Sequence, residues 1–173
     1  FTRVSSDNLA SSRIGFKGVE DLGGGLKANF VLESGVKLDT GANSGGTSRF
    51  FDRSAWAGLS GGFGELRLGR QDSLVGGQMA ATIGAQGYDE SVVGQTLAGV
   101  AYRRIDNALT YTAPAFVPGL SLSAQYSTAA NPSSTTSANG AAPAGGNAES
   151  TKGSKQGRSF GFAANFVQGP IGA

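Results

Sequence analysis

Apolar and polar positions alternate with a period of two in at least seven stretches of the chain, the pattern of β-strands with one face toward an apolar medium and one toward a polar medium. In Arg13-Ile14-Gly15-Phe16-Lys17, Ile14 and Phe16 fall on one side and Arg13 and Lys17 on the other. Leu26, Ala28, Phe30 and Leu32 oppose Lys27, Asn29 and Glu33, and Leu66 and Leu68 oppose Glu65 and Arg67. Further on, Leu109 and Tyr111 oppose Thr110 and Thr112, and Leu120, Leu122 and Tyr126 oppose Ser121, Ser123, Gln125 and Ser127. Phe160, Phe162, Ala164 and Phe166 repeat the scheme. The stretch 53–59 is weaker, because Trp56 is the only large residue on its parity. Trp56, Tyr111 and Tyr126 are read as facing the apolar medium. Arg70, on the parity of Leu66 and Leu68, is read as closing its strand.

The connections between these stretches alternate in length. Short, glycine-bearing links fall at Asp21-Leu22-Gly23-Gly24-Gly25, at Ser60-Gly61-Gly62-Phe63-Gly64 and at 114–119. Long ones fall at roughly 37–50, 71–102 and 128–157, the last a Ser/Ala/Asn/Gly/Pro tract with little capacity to fold alone. A meander puts successive connections at opposite ends of the sheet, so all the long ones gather at one end. A membrane β-barrel has that asymmetry, and a soluble sandwich has no reason for it. The polar parity carries full charges at Arg13, Lys17, Lys27, Glu33 and Arg67, which a dry core would not hold without several kcal/mol of penalty for each unpaired ion. Alternation alone is equally compatible with an open antiparallel sheet wetted on one face.

Composition narrows the chemistry. The 173 residues suit one domain and include 29 glycines, with a hydrophobic share of 39%, which excludes a helix-rich core. There is no cysteine and no histidine, so thiolate and imidazole metal sites, disulfides and imidazole-based triads are unavailable. No metal and no cofactor is expected. The net charge of +2 is spread along the chain and does not call for nucleic acid. No apolar run is long enough for a spanning helix, which excludes helical membrane proteins only. The opening Phe1-Thr2-Arg3-Val4 shows no basic segment leading into an apolar one, so the expectation is that a leader has been removed or the start is missing.

Four motifs in order resemble a known family. The first is Ser12-Arg13-Ile14-Gly15-Phe16-Lys17-Gly18-Val19-Glu20-Asp21-Leu22-Gly23-Gly24-Gly25-Leu26-Lys27-Ala28. It is followed by Arg53-Ser54-Ala55-Trp56-Ala57-Gly58-Leu59-Ser60-Gly61-Gly62-Phe63-Gly64-Glu65-Leu66-Arg67-Leu68-Gly69-Arg70-Gln71, by Arg104-Ile105-Asp106-Asn107-Ala108-Leu109-Thr110-Tyr111 and by Gly119-Leu120-Ser121-Leu122. Together they are similar to general porins of Gram-negative bacteria, especially those of beta-proteobacteria. The resemblance implies an all-β fold: an antiparallel transmembrane β-barrel of roughly sixteen strands, water-filled and trimeric, carrying small hydrophilic solutes and ions across the bacterial outer membrane. At about ten residues per tilted strand, only about seven or eight strands fit this length. The chain is therefore expected to be an internal fragment of one barrel domain spanning 1–173, from about the second to the eighth strand.

In such porins the long connection after the fifth strand folds into the pore and narrows it, setting acids against a ladder of basic side chains. Here that connection is 71–102. The resemblance puts Arg13, Arg53 and Arg104 on the ladder with Lys17 beside Arg13, and offers Asp72, Asp89 and Glu90 as the loop acids. Opposed rows of fixed charge set up a field across the pore that favours one ion sign. Two other classes fit the sequence less well. An enzyme lacks an imidazole base, a phosphate-binding loop and a Gly-x-Ser-x-Gly elbow, and adjacent Asp89 and Glu90 have no fixed spacing across a substrate. A closed eight-stranded structural or adhesive barrel has the right length, but its interior should be plugged. The Gly, Ala and Ser between the charges on the polar parity leave room for water instead.

Overall fold

The computed structural model describes residues 2, 12–44, 49–83, 104–128, 158–168 and 171–172. The strands are β1 (Arg13–Gly23), β2 (Leu26–Gly35), β3 (Ser54–Gly61), β4 (Gly64–Asp72), β5 (Arg104–Thr112), β6 (Leu120–Ser127), β7 (Ser159–Gln168) and β8 (Ile171–Gly172), with one helix, α1 (Leu74–Ile83), after β4. The first seven strands run from 8 to 11 residues, near the length of about 9–11 that a tilted strand needs to cross a bilayer. They form one sheet in sequence order, β1 to β8, and each is antiparallel to its neighbours. β1 and β8 lie at opposite ends of that order. Ile171 pairs with Gln168 and Gly172 with Val167, which sets β8 against the end of β7. No described helix is long and apolar enough to cross a membrane, which leaves crossing by strands open.

The register turns the sequence alternation into two faces. Phe16 pairs with Leu32, Leu59 with Leu66, Leu68 with Leu109, and Tyr126 with Phe160. These form one apolar surface, on which Phe16 is 62% and Phe160 80% exposed. In water such exposure forfeits about 25 cal/mol per Å² of apolar area; against acyl chains it forfeits nothing. Among the described residues only Ile105 and Ala108 are buried hydrophobics. The fold is a wall with one oily face and one polar face, and among the described residues there is no apolar core beyond that pair.

The tight ends are built by turn chemistry. Gly23, Gly24 and Gly25 all have positive φ between β1 and β2, where a side chain would be strained, and Asp21 Oδ1 accepts from the Gly23 amide at 2.8 Å. At the other end the strands lead into the long connections, and α1 begins directly after β4. Ser73 caps it, its Oγ accepting from the Gly76 amide at 2.9 Å.

Candidate functional site

The polar face carries two kinds of surface. The first lies along the rim where the long connections leave the sheet. Arg13 opens β1 and Glu33 lies near the end of β2, facing Gly15. Arg53, just before β3, is buried, and its Nε donates to Glu33 Oε1 at 2.6 Å. Arg13 Nη1 approaches the same carboxylate oxygen at 3.9 Å. Two guanidiniums thus converge on one acid. Asp52 braces this corner, accepting from the Gly35 amide at 2.7 Å.

Two strands further along, Arg104 Nε lies 3.3 Å from Asp72 Oδ1, the two residues being direct partners in the β4–β5 ladder. Between these groups, Arg70 donates from Nε to the Asp52 carbonyl at 2.7 Å and from Nη1 to Asp106, which Arg49 also holds at 2.5 Å. Arg70 is 8% exposed. Its parity would have sent it outward with Leu68, but the register shifts at Gly69, whose φ is +126°. A β-carbon there would lie 2.3 Å from the Ala55 carbonyl oxygen. The bulge re-aims the following side chain, so Arg70 ties the rim together and does more than close a strand.

Nearer the middle of the wall, Arg67 lies over the Trp56 ring, 4.5 Å from its centroid, and its Nη2 contacts Glu65 Oε2 at 2.5 Å. Glu65 also accepts from Asn29 Nδ2 at 3.1 Å. Trp56 pairs with Val31 in the register that sets Lys27 against Ser60 and Glu33 against Ser54. It is therefore on the polar face, which corrects its reading as a lipid-facing ring. Tyr111 and Tyr126 do lie on the apolar face, and the Tyr111 hydroxyl donates to the Phe63 carbonyl at 2.7 Å near a tight turn, a polar tip reaching the wet end of an apolar body.

The second surface is neutral. On β5, β6 and β7 the inward positions include Thr110, Thr112, Ser123, Gln125 and Asn165, and α1 packs against this patch. Gln125 accepts from the Leu74 amide at 3.1 Å and donates to the Asp72 carbonyl at 3.1 Å and to Thr110 Oγ1 at 2.8 Å. Gln78 of the helix donates to Asn165 on β7. Opposite Leu74 the wall has Gly161, where a β-carbon would stand 3.8 Å from Leu74 Cδ1, an ordinary packing distance. Gly76 and Gly77 cost α1 about 1 kcal/mol each in intrinsic propensity, so it depends on these wall contacts.

Arg13 and Arg53 therefore meet at Glu33, and Arg104 meets Asp72. Lys17 is exposed on the same face, opposite Val31. Asp72 is the last residue of β4, so it belongs to the wall and not to the loop: the segment 71–102 starts with two strand residues. Asp89 and Glu90 lie outside the described residues. Sequence reasoning gave no weight to Asp106 or to the Gln125 clamp, although Gln125 stands at an inward position of a clean alternation.

Comparison with known proteins places this wall. The profile of the Gram-negative porins matches residues 1–173. The chain belongs to that family. Outer membrane porin protein 32 of Delftia acidovorans is 48% identical to this porin over 67 residues, 39% of the chain and 18% of the relative. An outer membrane porin protein of Bordetella pertussis is 37% identical over 123 residues, 69% of the chain and 31% of the relative. The anion-selective porin from Comamonas acidovorans superposes with a TM-score of 0.67 at 25% identity, over 97% of this porin and 47% of that one. The chain spans less than half the length of each of these proteins.

Proposed function

We propose that this porin forms part of the wall of a water-filled channel in the bacterial outer membrane, through which small hydrophilic solutes and ions diffuse passively. The observation that carries the reading is the pair of faces on one sheet: an exposed apolar surface backed by a surface of ion pairs, amides and hydroxyls against which a helix is laid. Lipid suits the first face and water the second. The mechanism requires no bond to be made or broken, and so no catalytic group.

Within the channel, 71–102 is the segment that narrows the passage, entering along the wall as α1. Arg13, Lys17, Arg53 and Arg104 form the basic side of the constriction. Glu33 and Asp72 temper the charge of that side from within the wall, and Asp89 and Glu90 are the acids the loop brings to it. Four bases thus face four acids, and where the bases outweigh the acids anions are the favoured ions. Assembly as a homotrimer completes the reading. The test is the reversal potential in planar bilayers under a salt gradient. Arg53→Ala is expected to move it toward cation preference, and an unchanged potential in the triple variant of Arg13, Arg53 and Arg104 to Ala would remove these residues from selectivity.

A further inference from the structure

Where the helix meets the wall, the polar face encloses a recess of about 350 Å³, at the small end of the roughly 300–1,000 Å³ typical of small-molecule sites. Trp56 and Arg67 form one side, Gln78 of α1 another, and Thr112, Ser123 and Asn165 line the wall opposite. Small-molecule sites are mostly apolar, whereas this one is lined chiefly by hydroxyls and amides around a single indole.

Its charges are already matched. The charged side chains on the lining are Arg67 and Asp72, and each has an opposite charge from outside it, Glu65 at 2.5 Å and Arg104 at 3.3 Å. Arg67 Nε has no hydrogen-bond partner but is buried away from the surface, so a charged solute would compete with these neighbours for the attraction the lining offers. Hydrogen-bonding capacity, in contrast, is left over. The Thr112 and Ser123 hydroxyls share one hydrogen bond at 3.1 Å, which leaves a second O–H and further lone pairs. Asn165 accepts from Gln78 through its carbonyl oxygen, so its amide group keeps its donors. The Trp56 ring, held by Arg67, supplies a rigid apolar plate beside them.

We propose that this recess is a binding subsite for a neutral polyhydroxylated solute of mono- or disaccharide size, with Trp56 as the plate for its C–H face and Thr112, Ser123 and Asn165 as partners for its hydroxyls. The proposal rests on the polar face being reached by solutes, as in a channel. The recess adjoins the Arg13–Glu33–Arg53 corner at Ser54, the ladder partner of Glu33, and Arg104 at Asp72, and it differs from the basic row in its chemistry. A solute held here would be selected for hydroxyls and for absence of charge, alongside the anions favoured at the rim.

The probe is sucrose, titrated into the detergent-solubilised protein while the emission of Trp56, the chain's one tryptophan, is followed, and separately into planar bilayers while current noise is recorded. A saturable emission shift and added noise are expected. Asn165→Ala should weaken both, and Trp56→Phe should keep the noise while losing the emission signal. Trp56→Ala should weaken binding roughly tenfold. A saturable shift without conductance would uphold the subsite and overturn the channel. A conducting protein whose emission and noise ignore sucrose would overturn the subsite and leave the channel standing. A response to malate but not sucrose would overturn the choice of a neutral ligand.

Discussion

The two halves of the polar face solve the same problem differently. β1, β2 and β4 carry arginine, lysine, aspartate and glutamate, whereas β6 and β7 carry no charged residue at all. The difference follows what lies on top of each half. Covering an ion with a helix strips its hydration at a cost of several kcal/mol, while a carboxamide can both donate to and accept from the helix backbone and asks far less. Gln125 accepts from the Leu74 amide of the helix while donating to the Asp72 carbonyl at the end of β4. Charge is kept where the wall is wet or where a counter-ion is fixed beside it.

The sharpest way to break this comparison is at Asp106. Asp106→Asn leaves Arg70 buried against the Asp52 carbonyl without its counter-ion, and the folded state should lose about 3–5 kcal/mol, read as a lower urea midpoint for the protein in lipid vesicles. A midpoint equal to that of the parent would show that the rim does not depend on charge matching. Next comes Gln125→Leu, which leaves a helix-terminal amide and a carbonyl unsatisfied at about 1–3 kcal/mol. Its expected signature is faster proteolysis within 74–83 together with noisier open-channel current, at nearly unchanged stability of the sheet. The smallest effect belongs to Arg13→Ala. The Arg13–Glu33 contact is long and half exposed, so its loss should change stability by under about 1 kcal/mol, measured by the same urea titration, while still altering ion preference.

How far the fold was legible follows from the same contrast. Strand positions, the faces and the alternation of short and long connections all came from the period-two pattern, because lipid on one side and water on the other enforce it strictly. Trp56 was misplaced because its size outweighed its parity, although Ser54, Gly58 and Ser60 share that parity and Ala55, Ala57 and Leu59 oppose it. Arg70 was misjudged because one glycine inside a strand, Gly69, resets the register after it; such a glycine is itself a sign of a bulge. The partners of Arg70 and Gln125 lie 36 and 51 residues away, and no local pattern records contacts of that span. Asp72 was assigned to the loop because a strand end and a loop start read alike in sequence.

The order in which the strands follow one another also bears on assembly. Three hairpins, β1–β2, β3–β4 and β5–β6, close over short turns, and β7 joins through a long connection. Closing a longer loop costs only about 0.6 kcal/mol more for each doubling of its length, but nothing in such a loop sets the register of the strands it brings together. At every seam between hairpins a polar tie does so instead. Arg53 to Glu33 joins the first hairpin to the second, and Arg70 to Asp106 with Arg104 to Asp72 joins the second to the third. At the third seam the helix serves as the tie, gripped by Gln125 on one strand and Asn165 on the next. The side chains of the polar face are thus also the stitches that align each hairpin with the next.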